Sequence, residues 1–514
     1  MRNVLLIAPA LLMGLGADAQ PVRMERLKAD IGFLASEPLE GRRSLERGSE
    51  VAAQFIVAEF AKAGLRPAAG ESFLQSFELV EYGMDARSTQ LVIEWGGKRR
   101  RCRYGSDFSG YFPREARIRA PVVFAGYGIT APEYGYDDYA GLDVRGKIAL
   151  VLEYEPQLYE AASPFNGAGN TLHASPNRKA LNAQQHGAMA VLMIPAPNRK
   201  RPYRPSRGGR VQALVASEIG IPLFTLSSET AEALLASAGR RPAELQLEID
   251  KGLKPVRVEL NARAELRAVS VAARKGQTAN VIGLLEGADP KLREETVILC
   301  AHYDHLGVRD GKLLPGADDN ASGTAALLEL ARLFVAETNR PRRSVLFVAF
   351  GAEEAGLLGS YYYVAHPPRP LSLSRAVINL DMIGRDEQPS AQTDKLIQIP
   401  ADTSNDLNLV GAFYSPELRA IIERENRSVG LRLDDKWDRD AVLNILWRCD
   451  HFPFLTRGVP AVWLFNGFTA DYHTPADTPD KLNFAKMERI VRLAYRAVRA
   501  LADQDGWPSF LGRR

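Results

Sequence analysis

The 514-residue chain is poor in two residue types, with three cysteines and seven histidines. An odd count of three thiols gives no basis for a disulfide framework, so the fold must rest on core burial, for which the chain is long enough. Neither sign of charge prevails: 65 Lys+Arg against 62 Asp+Glu leaves a net +3. By itself this balance predicts no nucleic-acid partner and no polybasic membrane surface. Beyond the N-terminus no apolar run approaches the ~20 residues that span a bilayer. No repeat of roughly 20–50 residues occurs, which excludes a solenoid. GxSxG and HExxH are both absent, which removes the serine-hydrolase elbow and the thermolysin-type zinc helix. Hydrophobic residues at 46% and charged residues at 25% are ordinary for a globular chain. With so few His and Cys, any metal site has to rely on carboxylates.

What is present is ordered. Arg2, the apolar stretch 4–16 and the small-x-small triplet Ala17-Asp18-Ala19 predict a cleaved signal segment over 1–19, and so export to the periplasm or medium. Residues 20–119 begin with a helix pattern (Val51, Phe55, Ile56, Phe60) capped by Ser49 and stopped by Gly64, and then alternate in the manner of strands. Residues 120–265 differ in texture, with short β-branched runs broken by Gly, Pro and Asp, and predict a small β-rich domain inserted into the main one. Their Arg/Pro/Gly stretch at 198–210 reads as a solvated loop. From 266 to 514 near-continuous apolar runs alternate with an amphipathic helix. That pattern predicts an α/β fold, a three-layer, mostly parallel sheet with helices on both faces.

The chemistry-bearing residues sit where these strands end. TVILCA runs into His302-Tyr303-Asp304, SVLFVAFGA into Glu353-Glu354, AVINL into Asp381, and AVWLFNG through a short loop into Tyr472-His473. Asp318-Asp319 precedes the amphipathic helix. In open α/β sheets ligands bind beyond the carboxyl ends of strands, so groups far apart in sequence can meet in one crevice. Each piece alone is unremarkable: an HxD pair, an acidic helix start, an acidic doublet. Together they form a donor set of two His and several carboxylates suited to Zn²⁺, with Mn²⁺ or Co²⁺ as substitutes. One carboxylate shared by two ions would set up two-metal hydrolysis, and a second acid of the Glu353-Glu354 pair would be left as a base.

The blocks AHYDHLG (301–307), GADDNASG (316–323), FGAEEAGLLGS (350–360), NLDMIGR (379–385) and DYHTPADT (471–478) resemble, in order, those of the secreted dizinc exopeptidases, the bacterial leucyl aminopeptidase and glutamate carboxypeptidase II type. The inserted block resembles a protease-associated domain through LDVRGKIALV (142–151) and KALNAQQHGAMAVLMI (179–194). The resemblance implies the zinc exopeptidase fold and two Zn²⁺. His302 and Asp381 would hold one ion and Glu354 and His473 the other, with Asp318 between them and a cis Asp318–Asp319 peptide. It further implies Glu353 as general base, Asp304 behind His302, and Tyr472 as a donor to the oxyanion. Asp450-His451, in CDHFPF, would line the substrate pocket. The implied activity is aminopeptidase action on peptides, with carboxypeptidase or dipeptidase action as the alternative. A single-zinc glutaminyl cyclase or a non-catalytic receptor-like protein fits less well. His305 reads as a turn residue or one behind the ligands, and Cys300 and Cys449 as buried free thiols.

Overall fold

The computed structural model describes residues 21–206 and 208–511, so the expected signal segment at 1–19 lies outside the described residues. The apolar runs form the centre of a ten-stranded sheet. Thr296–His302 lies between Ser344–Phe350 and Ser374–Leu380, parallel to both, and Ala461–Phe465 extends this parallel block. Alternation along Thr296–His302 builds the layers. Val297, Leu299 and Ala301 face a core shared with helices Arg47–Ala63, Gly323–Ala336 and Phe484–Asp503. Ile298 and Cys300 face an opposite core built with Leu358–Ala365 and His451–Thr456. The parallel order is broken on both sides of this centre. Ser270–Leu285 and Leu74–Met84 on one flank, and Asp406–Val410 on the other, join antiparallel. Leu74–Met84 leads into the insertion and Ser270–Leu285 returns from it, so the two segments run side by side in opposite directions.

The insertion is a second sheet of eight strands with its own core, including Leu91, Ile118, Leu150, Leu192, Phe224 and Leu266. It takes in more chain than the texture of 120–265 indicates. Gln90–Trp95 pairs with Ala262–Ala268, and Lys98–Arg103 pairs with Gln90–Trp95, so this sheet starts near residue 90. One inserted strand, Val211–Leu214, leaves it to edge the main sheet against Leu74–Met84. The helix at Arg47–Ala63 ends at Gly64 as expected, with φ of 94°, but its N-cap is Glu46, and Ser49 donates back to the Glu46 carbonyl from the first turn. Among the described residues no helix is long and apolar enough to cross a membrane.

Candidate metal centre

The strand ends converge as the positional argument requires. His302 closes its strand with Nε2 3.3 Å from Asp381 Oδ1, 3.4 Å from Asp319 Oδ1 and 3.8 Å from Glu353 Oε2. His473 Nε2 lies 3.0 Å from Asp319 Oδ2 and 3.5 Å from Glu354 Oε2. Three residues that flank or form this cluster, Ala352, Met382 and His473, hold φ of 59°, 52° and 58°. That left-handed conformation is disfavoured for side-chain-bearing residues and collects where a structure aims functional groups.

Two corrections to the sequence reading follow. The carboxylate between the two histidines is Asp319, not Asp318. Asp318 is turned away, accepting from the Gly384 amide at 2.7 Å and from the Ser322 hydroxyl at 3.4 Å. Asp477 fixes this choice by accepting the amides of both Asp318 (2.9 Å) and Asp319 (3.1 Å). The cis peptide is Asp319–Asn320, one bond later than expected. Asn320 bridges the neighbouring elements, donating to the Leu380 carbonyl and accepting from the Gly323 and Met382 amides.

Asp450 and His451 do not line the cleft. Helix His451–Thr456 packs inward, so both residues are fully buried. Asp450 accepts from Ser360 at 2.5 Å, and His451 lies against Trp463 with neither ring nitrogen hydrogen-bonded. The cavity at the cluster, about 320 Å³, is walled instead by Trp447, Arg448, Trp463, Phe468 and Tyr472.

The supporting contacts are specific. Asp304 presents its backbone carbonyl to His302 Nδ1 at 3.2 Å, while its carboxylate accepts from the Glu353 amide and from Ser44, each at 3.0 Å. It therefore ties the histidine to the backbone of the expected base. Arg42, fully buried, donates to the carbonyls of Leu34, Tyr303, Pro315 and Gly316, pinning the His302 and Asp319 loops together. Cys449 lies 3.0 Å from Asp381 Oδ2, Asn379 donates to Cys449, and Cys300 lies 3.2 Å from Asn379 Oδ1. All three cysteines are free and buried.

His305 was the residue that ligand counting left without a place. The structure aims it at the cluster, with Nδ1 2.8 Å from Glu354 Oε1 and the ring 5.8 Å from that of His473. Both of these buried atoms nevertheless lack an aligned hydrogen bond. Close approach without alignment is the arrangement expected of two donor atoms directed at a common third partner. Among the described residues three sets of such atoms occur, each with its donor atoms within 4.8 Å of one another: His302–Asp319–Asp381 and His305–Asp319–Glu354, which share Asp319, and Glu353–Asp381–Cys449.

The electrostatics fit cations here. Burial works against a charged His302, and the Glu353 and Asp381 carboxylates outweigh it, raising its proton affinity. His473 is pushed up to about 10: burial opposes its charge, and the hydrogen bonds to Asp319 and Glu354 override it. Burial and Asp319 push Glu354 up, yet His305 and His473 prevail and hold it down to about 2. Glu353 goes the other way. Burial, joined by Asp450, Glu354 and Asp381, drives it well above the ordinary carboxyl range. The cluster thus holds Asp319 and Glu354 as anions, while burial raises Glu353 and, in the same direction, Asp381. Buried donor atoms without partners and a surplus of carboxylates fit divalent cations.

Residues 280–498 match the model of Peptidase family M28, and residues 118–234 match that of the PA domain. Aminopeptidase YwaD of Bacillus subtilis (strain 168) is 31% identical over 263 residues, 50% of this chain and 45% of that protein. Uncharacterized protein YfbL of Escherichia coli (strain K12) is 30% identical over 258 residues, 46% of this chain and 75% of that one. Among solved structures, an aminopeptidase from Aneurinibacillus sp. strain AM-1 aligns over 95% of this chain and 96% of its own with 21% identity and a TM-score of 0.48. The match thus spans about half the length of the first of these curated relatives.

Proposed function

We propose that this chain, which belongs to peptidase family M28, is an exported, two-zinc aminopeptidase that removes N-terminal residues from peptides. The observation that carries the reading is Asp319, shared by two donor sets, with the high-affinity acid Glu353 beside them. His302 and Asp381 would hold one ion, Glu354 and His473 the other, with His305 directed at the second. Zinc, when bound there, polarises the scissile carbonyl and brings water into the range where it ionises near neutral pH.

The remaining roles belong to the protein's own groups. Glu353 takes the proton of the attacking water and returns it to the leaving amine. Its backbone amide donates to Asp304 at 3.0 Å, which holds the residue's main chain at the cleft. Tyr472 Oη already accepts from Arg448 Nη2 at 3.2 Å, which leaves its proton free to be donated to the oxyanion. Trp447, Trp463 and Phe468 give apolar walls for a substrate side chain. Surplus carboxylate charge favours the free ammonium of a peptide N-terminus.

A second reading, dipeptidase or carboxypeptidase action, is favoured by one observation. Arg448 lines the cavity with no acidic partner among the described residues, so it is available to a substrate carboxylate. Two donor sets speak against single-zinc glutaminyl cyclase chemistry, and intact ligands speak against a receptor-like role. A digest of a peptide library by zinc-loaded protein, read at both ends, tests the proposal. Stepwise loss from the N-terminus is expected, and loss confined to the C-terminus would refute it. Export is tested by N-terminal sequencing of the mature protein, expected to begin at Gln20.

A further inference from the structure

The near-zero net charge hides an uneven distribution. In the inserted domain four antiparallel strands, Lys98–Arg103, Gln90–Trp95, Ala262–Ala268 and Ala116–Phe124, lie in that order. Residues directly paired across antiparallel strands share a face, so the register fixes three rows. The first is Arg103–Gln90–Arg267–Arg117, the second Arg101–Val92–Glu265–Arg119, and the third Arg99–Glu94–Arg263–Pro121. The opposite face carries Leu91, Ile93, Cys102, Ile118, Ala264 and Leu266, the core of this domain. All seven arginines of the grid are exposed. The two glutamates leave the face at net +5, against +3 for the entire chain. The remainder of the molecule is therefore net negative.

Most of this charge is unspent. Glu94 meets Arg99 and Arg119, each at 3.3 Å, which also confirms that these strands present one face. Arg101, Arg103, Arg117, Arg263 and Arg267 pair with no acid among the described residues. Holding like charges on adjacent strands is destabilising, and a partner that neutralises them removes that cost. Strand spacing of about 4.8 Å and a same-face repeat of about 6.8 Å make the grid roughly 15 Å square. It is an open, twisted sheet face. Arginine forks match phosphate oxygens bidentately.

From this geometry we infer that the arginine face of the inserted domain docks the enzyme on a surface of anionic phospholipid headgroups. Sheet faces that bind single-stranded nucleic acid carry aromatic side chains on which bases stack. None of the twelve grid positions is aromatic, since Trp95 pairs with Lys98 and Ala262 in the next row, on the core side. A two-dimensional grid of guanidinium groups without a stacking platform suits an extended layer of phosphates better than a strand or duplex.

The test is co-sedimentation of the full chain with vesicles of phosphatidylglycerol and phosphatidylcholine, and with phosphatidylcholine alone, at low and high salt. Binding to the anionic vesicles alone is expected, with release at about 1 M salt, where the screening length falls to roughly 3 Å. The variant Arg101→Gln/Arg103→Gln/Arg117→Gln/Arg267→Gln should bind ~10²- to 10³-fold more weakly, at about fivefold per arginine. Its melting temperature should not fall, since the substitutions relieve like-charge repulsion, and its turnover of a soluble aminoacyl anilide should be unchanged, since these exposed residues lie outside the cleft. Equal binding by variant and wild type, or no binding to anionic vesicles at low salt, would overturn the inference. So would a preference for duplex or single-stranded oligonucleotide over the vesicles in competition.

Discussion

Asp318 and Asp319 are adjacent, chemically identical and both buried, yet the structure gives them opposite fates, and a pair of asparagine substitutions separates them. Asp318 has one oxygen on the Gly384 amide and the other buried without a partner. Burial first, and then the charge of Asp477, drive its proton affinity well above that of an ordinary aspartate. Asparagine is nearly isosteric with aspartic acid and keeps an oxygen for the Gly384 amide, so Asp318→Asn should cost about 1 kcal/mol or less. Asp319 is raised by burial, but hydrogen bonds from His302 and His473 outweigh this and keep it anionic. A unit charge at a generous ~4 Å from a cation, at an effective dielectric near 20, contributes about 4 kcal/mol per unit of cation charge. For a divalent ion that is about 8 kcal/mol. If the asparagine oxygen and water recover half, a loss of ~10³-fold in affinity remains. Zinc content after dialysis against a graded chelator series reads this directly, with zinc-induced change in melting temperature as a second readout. Asp318→Asn should keep wild-type zinc, and Asp319→Asn should lose it at ~10³-fold weaker chelation than wild type. Zinc lost from Asp318→Asn but kept by Asp319→Asn would refute the placement of the shared carboxylate.

Three further outcomes follow from other contacts. His305→Leu should weaken one of the two zinc ions by ~10- to 100-fold and leave the other unchanged, read by calorimetric titration of metal-free protein; uniform weakening of both would contradict the local role. His451 is held down to about 3 by burial and stays neutral in the fold, whereas the unfolded chain takes up a proton below its ordinary value of 6.5. Folding stability should therefore fall as pH drops from 6.5 towards 3, by about 2 kcal/mol at pH ~5, and denaturant unfolding of His451→Phe should lack this component. Arg42→Met leaves four buried carbonyls without their donor and removes the cation facing Asp304, Asp319, Glu354 and Asp477. A loss of about 3–5 kcal/mol is expected, seen as a lower midpoint in urea, and an unchanged midpoint would sink the argument.

The α/β centre and the meeting of distant blocks were legible because both follow from local pattern. Apolar runs of strand length mark strands buried on both faces, and ligands gather at their carboxyl ends. What escaped was set at long range. The choice of Asp319 over Asp318 is made by Asp477, 159 residues beyond Asp318, and by the Gly384 amide. No spacing within GADDNASG distinguishes the two. His305 follows His302 closely enough to look redundant, and only the fold shows it reaching Glu354. Asp450-His451 carries the polar pair of a lining segment, but its helix turns both side chains into the core. Residues 90–103 alternate as a strand pair wherever they are placed, and their partner, Ala262–Ala268, comes more than 150 residues later. The arginine face has the same origin: net charge averages over the chain, whereas strand register concentrates it.

The central claim is that Glu353 is a base beside two bound ions and not a ligand of either. Zinc stoichiometry and aminoacyl-anilide turnover, measured together on Glu353→Gln, test it most directly. The predicted result is two zinc ions per chain, as in wild type, with turnover reduced by about 10²- to 10⁴-fold. Loss of zinc with the activity would make Glu353 a ligand, and retained turnover would remove it from the reaction.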